Sequence, residues 1–400
     1  MRLAGPVSLD IRNPTAGLSG SGAAGIAYTV QDSDAPATQS AYAVWRRAGG
    51  GLSSASAVPG SKQVLASSFQ GGTLQLLTGS AASTDSCCSS AGVIGMAAGG
   101  RFGKLHTLVT GLGGTTVGDM VTLGRRTLAA VGTERGLWVS QSNTSGSFAK
   151  AHQIAGGRSA PASLAATAIS GGTAVAWGGG KQSAVGPRSV YLATGKTKEA
   201  PRRASAALTV PGTDGIDQVG VAGGKGGATL AWIDSYYDHR GNYRSGVRAA
   251  DAAHMKKVTN LQLPGVMASG LAFAGDARGD EVLAWKTCSW SGSCSVQASV
   301  RAAGKAFGRP GRLGSIDAGE VPALAVAPGG QTLVSWISGG HVLGSYLSPH
   351  STRFGKAVTV SSTVYAADVT VAFRSNGQAI AVWSQNTLAP EIVGALFSPR

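Results

Sequence analysis

Between residues 236 and 244 the chain reads Tyr-Tyr-Asp-His-Arg-Gly-Asn-Tyr-Arg. Three phenols, a carboxylate, an imidazole and two guanidiniums thus fall within nine residues. Aromatic rings offer stacking faces to sugars or peptides, and a guanidinium offers a forked donor to carboxylate or phosphate. Tyr236, Tyr237, Asp238, His239, Arg240 and Tyr243 are therefore candidate ligand-binding residues, with Arg244 beside them. His239 next to Asp238 could form a general-base pair, but sequence neighbours often point apart, and binding is the expectation here rather than catalysis. A plainer alternative is a long hairpin whose tyrosines cover the protein's own surface.

A second candidate lies at Cys288 and Cys294, which enclose Ser-Trp-Ser-Gly-Ser. That spacing suits a disulfide stapling a hairpin, which needs an oxidising compartment. It would hold Trp290 at a loop tip as a further ligand contact. The adjacent Cys87 and Cys88 could form a strained vicinal disulfide, stay as thiols or bind metal. No Cys/His spacing supports a zinc site, and no cofactor is expected.

A third candidate is dispersed. Asp119, Asp217, Glu320 and Asp368 each stand at the start of a short apolar segment. If those starts converge, the four acids ring the mouth of a channel and could hold a divalent cation or an amine. Otherwise they accept backbone N–H bonds in turns. Enzyme signatures are missing: there is no Gly-x-Ser-x-Gly elbow, P-loop or His-Glu-x-x-His, and only five glutamates occur in 400 residues.

The formal charge is +15, from 34 Lys and Arg against 19 Asp and Glu. The basic residues are scattered, so a soluble surface is expected and not a specific nucleic-acid site. No apolar run is long enough to span a membrane as a helix. The opening residues lack the apolar core of a signal peptide. The cysteine spacing nevertheless favours an extracytoplasmic or secreted protein, and a monomer is expected.

These candidates need elements to position them, and a repeat supplies them. Apolar runs ending in Trp recur at Trp177, Trp232, Trp285, Trp336 and Trp383. Degenerate copies place Tyr28, Leu77 and Val131 at the same point, giving a period of about 51 residues. Short Ala/Val/Leu strands with Gly-rich turns at that period predict an all-β chain, a single β-propeller of eight blades, with seven as the alternative. Approximate blade spans are 15–58, 62–112, 118–157, 161–211, 215–264, 266–316, 319–362 and 365–400. The last unit lacks a fourth strand, and residues 1–12 are expected to complete it, leaving no open edge. Each repeated Trp is expected to fill the gap to the next blade. In this geometry the 236–244 and 288–294 segments are B–C loops on one end of the ring.

Stretches such as Pro-Gly-Gly-Gln-Thr-Leu-Val-Ser-Trp (328–336) resemble the A–B turns of bacterial extracytoplasmic β-propellers with degenerate repeats, of sialidase-like and TolB-like architecture. Neither the Asp-box pattern of sialidases nor the Gly-His and Trp-Asp signatures of WD repeats is present. The resemblance implies the architecture alone. The leading expectation is a non-catalytic module binding a protein, peptide or glycan on the B–C face. The alternatives are a polysaccharide hydrolase or lyase using the channel-mouth acids, and a structural interaction module.

Overall fold

The computed structural model describes residues 9–32, 39–51, 53–80, 90–112, 116–157, 161–182, 187–210, 212–224, 226–261, 266–362, 364–374, 376–385 and 391–397. Eight antiparallel sheets follow one another along the chain, seven of them meanders of strands A to D and the eighth of strands A to C among the described residues. Their A strands are Leu9–Leu18, Gln63–Gln70, Val117–Leu123, Ser163–Ile169, Gly215–Gly224, Met267–Gly275, Ala323–Val326 and Ala366–Phe373. Among the described residues the helical content is confined to short 3₁₀ turns such as Ala252–His254. No helix is long and apolar enough to cross a membrane.

Each A strand touches the A strand of the next sheet, and the eighth touches the first. The ring is therefore closed, and the protein is an eight-bladed β-propeller. Arg374 of blade 8 donates from Nε to the Gly20 carbonyl of blade 1 at 3.3 Å, joining positions 354 residues apart.

Closure differs from expectation in one respect. Residues 9–12 do not extend blade 8. Leu9 pairs with Asp32 and Ile11 with Val30, so they lengthen strand A of blade 1. A bulge between Arg12 and Thr15, with Asn13 at φ 50°, lets this strand run past the expected start at residue 15. Ile11 is buried in the seam between blades 8 and 1, which is what draws the strand inward. Blade 8 has three strands among the described residues, and residues 1–8 lie outside them.

The core is divided. Eight separate apolar clusters occupy the eight seams between neighbouring blades. A propeller blade is a sheet buried on both faces, so both side-chain sets of a central strand must be apolar. Strand B of blade 6, Glu281–Cys288, is buried at every position up to Thr287.

The repeated rings sit in these seams, but they face the preceding blade and not the next. Trp232 packs with Ala174 and Ala176 of blade 4, and Trp336 with Ala284 and Val296 of blade 6. Tyr28 takes the equivalent place in blade 1, against Ile380 and Val382 of blade 8. In blade 2 the side chains turned to the preceding blade are Leu74 and Leu76; Leu77 packs forward against blade 3. Small residues let the rings in: Gly314 lies against Trp336, where an added Cβ would come within 2.9 Å of the indole.

Candidate functional site

The B–C hairpins of blades 5 and 6 are built alike. In each, a five-residue turn is closed by the first N–H bonding the fifth carbonyl: Asp238 to Asn242 at 2.9 Å, and Ser289 to Ser293 at 2.9 Å. The fourth position must take a left-handed backbone, and glycine fills it in both, Gly241 at φ 75° and Gly292 at φ 84°. The first turn is locked by the Asp238 carboxylate, which accepts the Arg240 and Asn242 backbone N–H groups at 2.9 Å and Arg244 Nε at 3.1 Å. The Asn242 N–H, with these other donors, holds the Asp238 carboxyl well below the usual range. The second turn is locked by the Cys288–Cys294 disulfide, with Cα atoms 4.1 Å apart.

The two loops meet. The Arg244 guanidinium lies over the Trp290 ring at 5.8 Å, and Tyr237 makes an edge contact with Tyr243 at 5.6 Å between centroids. Trp290 is 57% exposed and Tyr237 55% exposed. Tyr236 and Tyr243 are half-buried beside them, and His239 and Arg240 are exposed at the tip. Asp238 spends its oxygens on the turn and Arg244, so the structure shows no Asp238–His239 dyad.

The same end of the ring carries further open side chains on the D–A loops: Val321 before strand A of blade 7, and Val364 and Tyr365 before strand A of blade 8. Tyr365 is 64% exposed and has φ 73°. Its backbone N lies 3.0 Å from where a Cβ on Gly340 would stand.

The four acids divide by role. Asp119 accepts backbone N–H bonds from Met120 and from Ala166 of blade 4, both at 2.7 Å, so it ties two blades together. Burial pushes its carboxyl up to about 6. Asp217 is the bulged residue of its strand and accepts Ser235 Oγ at 3.0 Å; burial raises it too. Glu320 and Asp368 are neighbours: the Asp368 N–H donates to Glu320 Oε2 at 3.3 Å. Burial raises the Glu320 carboxyl, the Asp368 N–H opposes this, and the charges of Asp368 and Asp317 add to the rise. Among the described residues no three His, Cys, Asp or Glu side chains converge to hold a metal ion.

Several residues of this end were not singled out from sequence. Lys286 sits buried on strand B of blade 6, its Nζ donating to the Ala318 carbonyl at 2.6 Å and its charge facing Glu320. Burial lowers its pKa, and Glu320 partly restores it. Asp214 accepts the Tyr237 N–H at 3.0 Å, and Asp317 accepts Gly339 and Gly340 at 2.8 and 3.0 Å. In these blades a D–A acid therefore holds the neighbouring B–C turn. Asp234, fully buried, pairs with Arg248 at 2.8 Å, yet burial outweighs that pairing and lifts its carboxyl to about 6. The signal for Asp214 and Asp317 is positional, an Asp a few residues ahead of strand A, and shows only once strands are placed; Asp234 lies within strand B and carries no such signal. Cys87 and Cys88 lie outside the described residues.

No protein-family model matches this chain, nor does any curated protein sequence. Solved structures do match in shape. One is a polysaccharide lyase of family PL25, an ulvan lyase bound to a -[GlcA(1-4)Rha3S]- segment. It has a TM-score of 0.50 and 10% identity, over 98% of this chain and 94% of that one. Another is the polysaccharide lyase Uly1, with a TM-score of 0.50 and 9% identity, over 82% of this chain and 89% of that one. At this identity the likeness is one of fold: both are similar to this chain as propellers.

Proposed function

We propose that this propeller is a non-catalytic binding module of an oxidising, extracytoplasmic compartment, and that it seats a glycan chain across the B–C and D–A loops of blades 5 to 8. The observation that carries this reading is the exposed rings of Tyr237 and Trp290 on two braced loops, with Arg244 over Trp290. Flat rings open to solvent match the apolar faces of sugar rings, and a guanidinium beside them matches a hydroxyl or acidic substituent. The bracing matters because a loop already ordered loses little entropy on binding. The disulfide supports the compartment, since such bonds persist where thiols are not kept reduced.

The test is a glycan and peptide array probed with the purified protein and with Tyr237→Ala and Trp290→Ala. A glycan signal that both substitutions abolish supports the reading. A signal on peptides alone, or the absence of any glycan signal that depends on both rings, overturns it.

A second reading is a polysaccharide lyase or hydrolase, favoured by one grouping. Glu320, with its raised carboxyl, lies beside Asp368 and faces Lys286, so a proton donor and a cation stand near one another. It predicts new chain ends when the array-selected glycan is incubated with the protein, and their loss in Glu320→Gln.

A further inference from the structure

At the opposite end of the ring, a groove of about 740 Å³ runs between the C–D loop of blade 6 and that of blade 7. Four cations line it, Lys305, Arg309, Arg312 and Arg353, and no carboxylate does. Four acids of blades 5 and 6 are committed to other arginines. Asp251 and Glu281 bind Arg301, at 2.7 and 2.9 Å, while Asp276 and Asp280 bind Arg278, at 2.8 and 3.2 Å. None of the four groove cations forms a salt bridge among the described residues.

The walls are firm. Gly308 N–H bonds the Val300 carbonyl at 2.9 Å, Ser299 Oγ bonds the Gly308 carbonyl at 2.7 Å, and Arg301 stacks on Phe307 at 5.1 Å. On the facing loop Ser351 Oγ donates to the Arg353 carbonyl at 2.9 Å and accepts the Arg353 N–H at 3.1 Å. Four exposed cations thus line one braced groove whose wall carries no carboxylate. Their summed field favours an anion entering the groove.

We infer that this groove binds an acidic polysaccharide segment through its sulfate or uronate oxyanions. Three of the four cations are arginines, whose forked donors match such groups. The lining between them is Ala298, Ala302, Ala306 and half-buried Phe354 and Leu313, small and apolar, without an exposed ring on which a nucleobase could stack. The cations form a compact group and not the extended stripe that tracks a nucleic-acid backbone. This site is separate from the aromatic loops and stands or falls without them.

The experiment uses the whole chain, with a heparin hexasaccharide, an oligogalacturonate hexamer and a short DNA duplex as probes, by calorimetry at about 0.15 M salt. Because the chain carries +15 overall, the groove variant Arg312→Glu/Arg353→Glu is set against a charge-matched control, Arg101→Glu/Lys104→Glu, in the C–D loop of blade 2. The milder Arg309→Ala/Arg312→Ala and a thermal melt of every variant guard against misfolding. We expect at least one glycan to bind the groove variant about 100-fold more weakly, with the control within about twofold of the parent. Equal losses in the groove and control variants would show a response to net charge alone, and no binding of either glycan, or tighter groove-dependent binding of DNA, would equally overturn the inference.

Discussion

Trp232 and Trp336 occupy the same place in different blades and are both fully buried. Their indole nitrogens differ. Trp336 Nε1 donates to the Ser315 carbonyl on the D strand of the preceding blade at 2.8 Å, whereas Trp232 Nε1 has no partner among the described residues. Replacing either by Phe removes the same atoms and leaves the same kind of void, at a cost of about 1–2 kcal/mol. In Trp336→Phe the Ser315 carbonyl also loses its donor, adding about 1–2 kcal/mol. In Trp232→Phe a buried, unpaired N–H disappears, which returns about 1 kcal/mol of desolvation cost. The two substitutions should therefore differ by about 2–3 kcal/mol, with Trp336→Phe the worse. Urea unfolding of both variants and the parent, read at the transition midpoints, measures the difference. Trp383→Phe should follow Trp232→Phe, because Trp383 Nε1 is likewise unpaired among the described residues. Equal midpoints for Trp232→Phe and Trp336→Phe, or the reverse order, would refute the hydrogen-bond assignment.

Stability should also depend on pH through the buried acids. Asp119 and Asp234 have carboxyls raised to about 6, against about 3.9 in an unfolded chain. Between those values the folded protein holds protons that the unfolded chain has released, so stability falls as pH rises from about 4 to about 6. Each group contributes at most about 3 kcal/mol, and Asp234→Asn should remove its share of the slope in urea unfolding at pH 5 and pH 7. Opening the disulfide with Cys288→Ser/Cys294→Ser releases a short loop, for about 2 kcal/mol of stability on the chain-entropy account, and should weaken any glycan signal that depends on Trp290; an unchanged array would separate Trp290 from the staple. Lys286→Met should raise the Glu320 carboxyl further, since it removes the cation that opposes the rise. A carboxyl-carbon NMR titration would read this, and a midpoint that stays or drops would contradict their proximity.

The ring was legible in the sequence because one ring-sized gap recurs in every seam and tryptophan fills five of them. The blade count and the pairing of Cys288 with Cys294 followed from spacing alone. Which way each Trp faces did not, because strand alternation fixes that a residue points off the sheet, not to which neighbour. The slip from Leu77 to Leu76 was hidden for the same reason: Leu74, Leu76 and Leu77 are all apolar, so the sequence offers no contrast between them. The start of strand A in blade 1 was missed because Asn-Pro at 13–14 reads as a turn, while the structure uses it as a bulge within a continuing strand. At the candidate site, the meeting of Arg244 with Trp290 needed the ring, since the two lie in different blades. The groove of blades 6 and 7 was invisible for a similar reason: Arg312 and Arg353 are far apart in a chain whose basic residues look evenly spread.

The backward-facing rings give synthesis a direction. As a chain grows from its first residue, each new blade brings the apolar side chain that covers the blade already made, so most seams can seal as soon as their later member emerges. One seam cannot. Tyr28 belongs to the first blade, and its cover, Ile380 and Val382, is the last to be made. That seam must stay wet until almost the whole polypeptide has been delivered, and it falls to a residue whose hydroxyl can keep company with water while it waits.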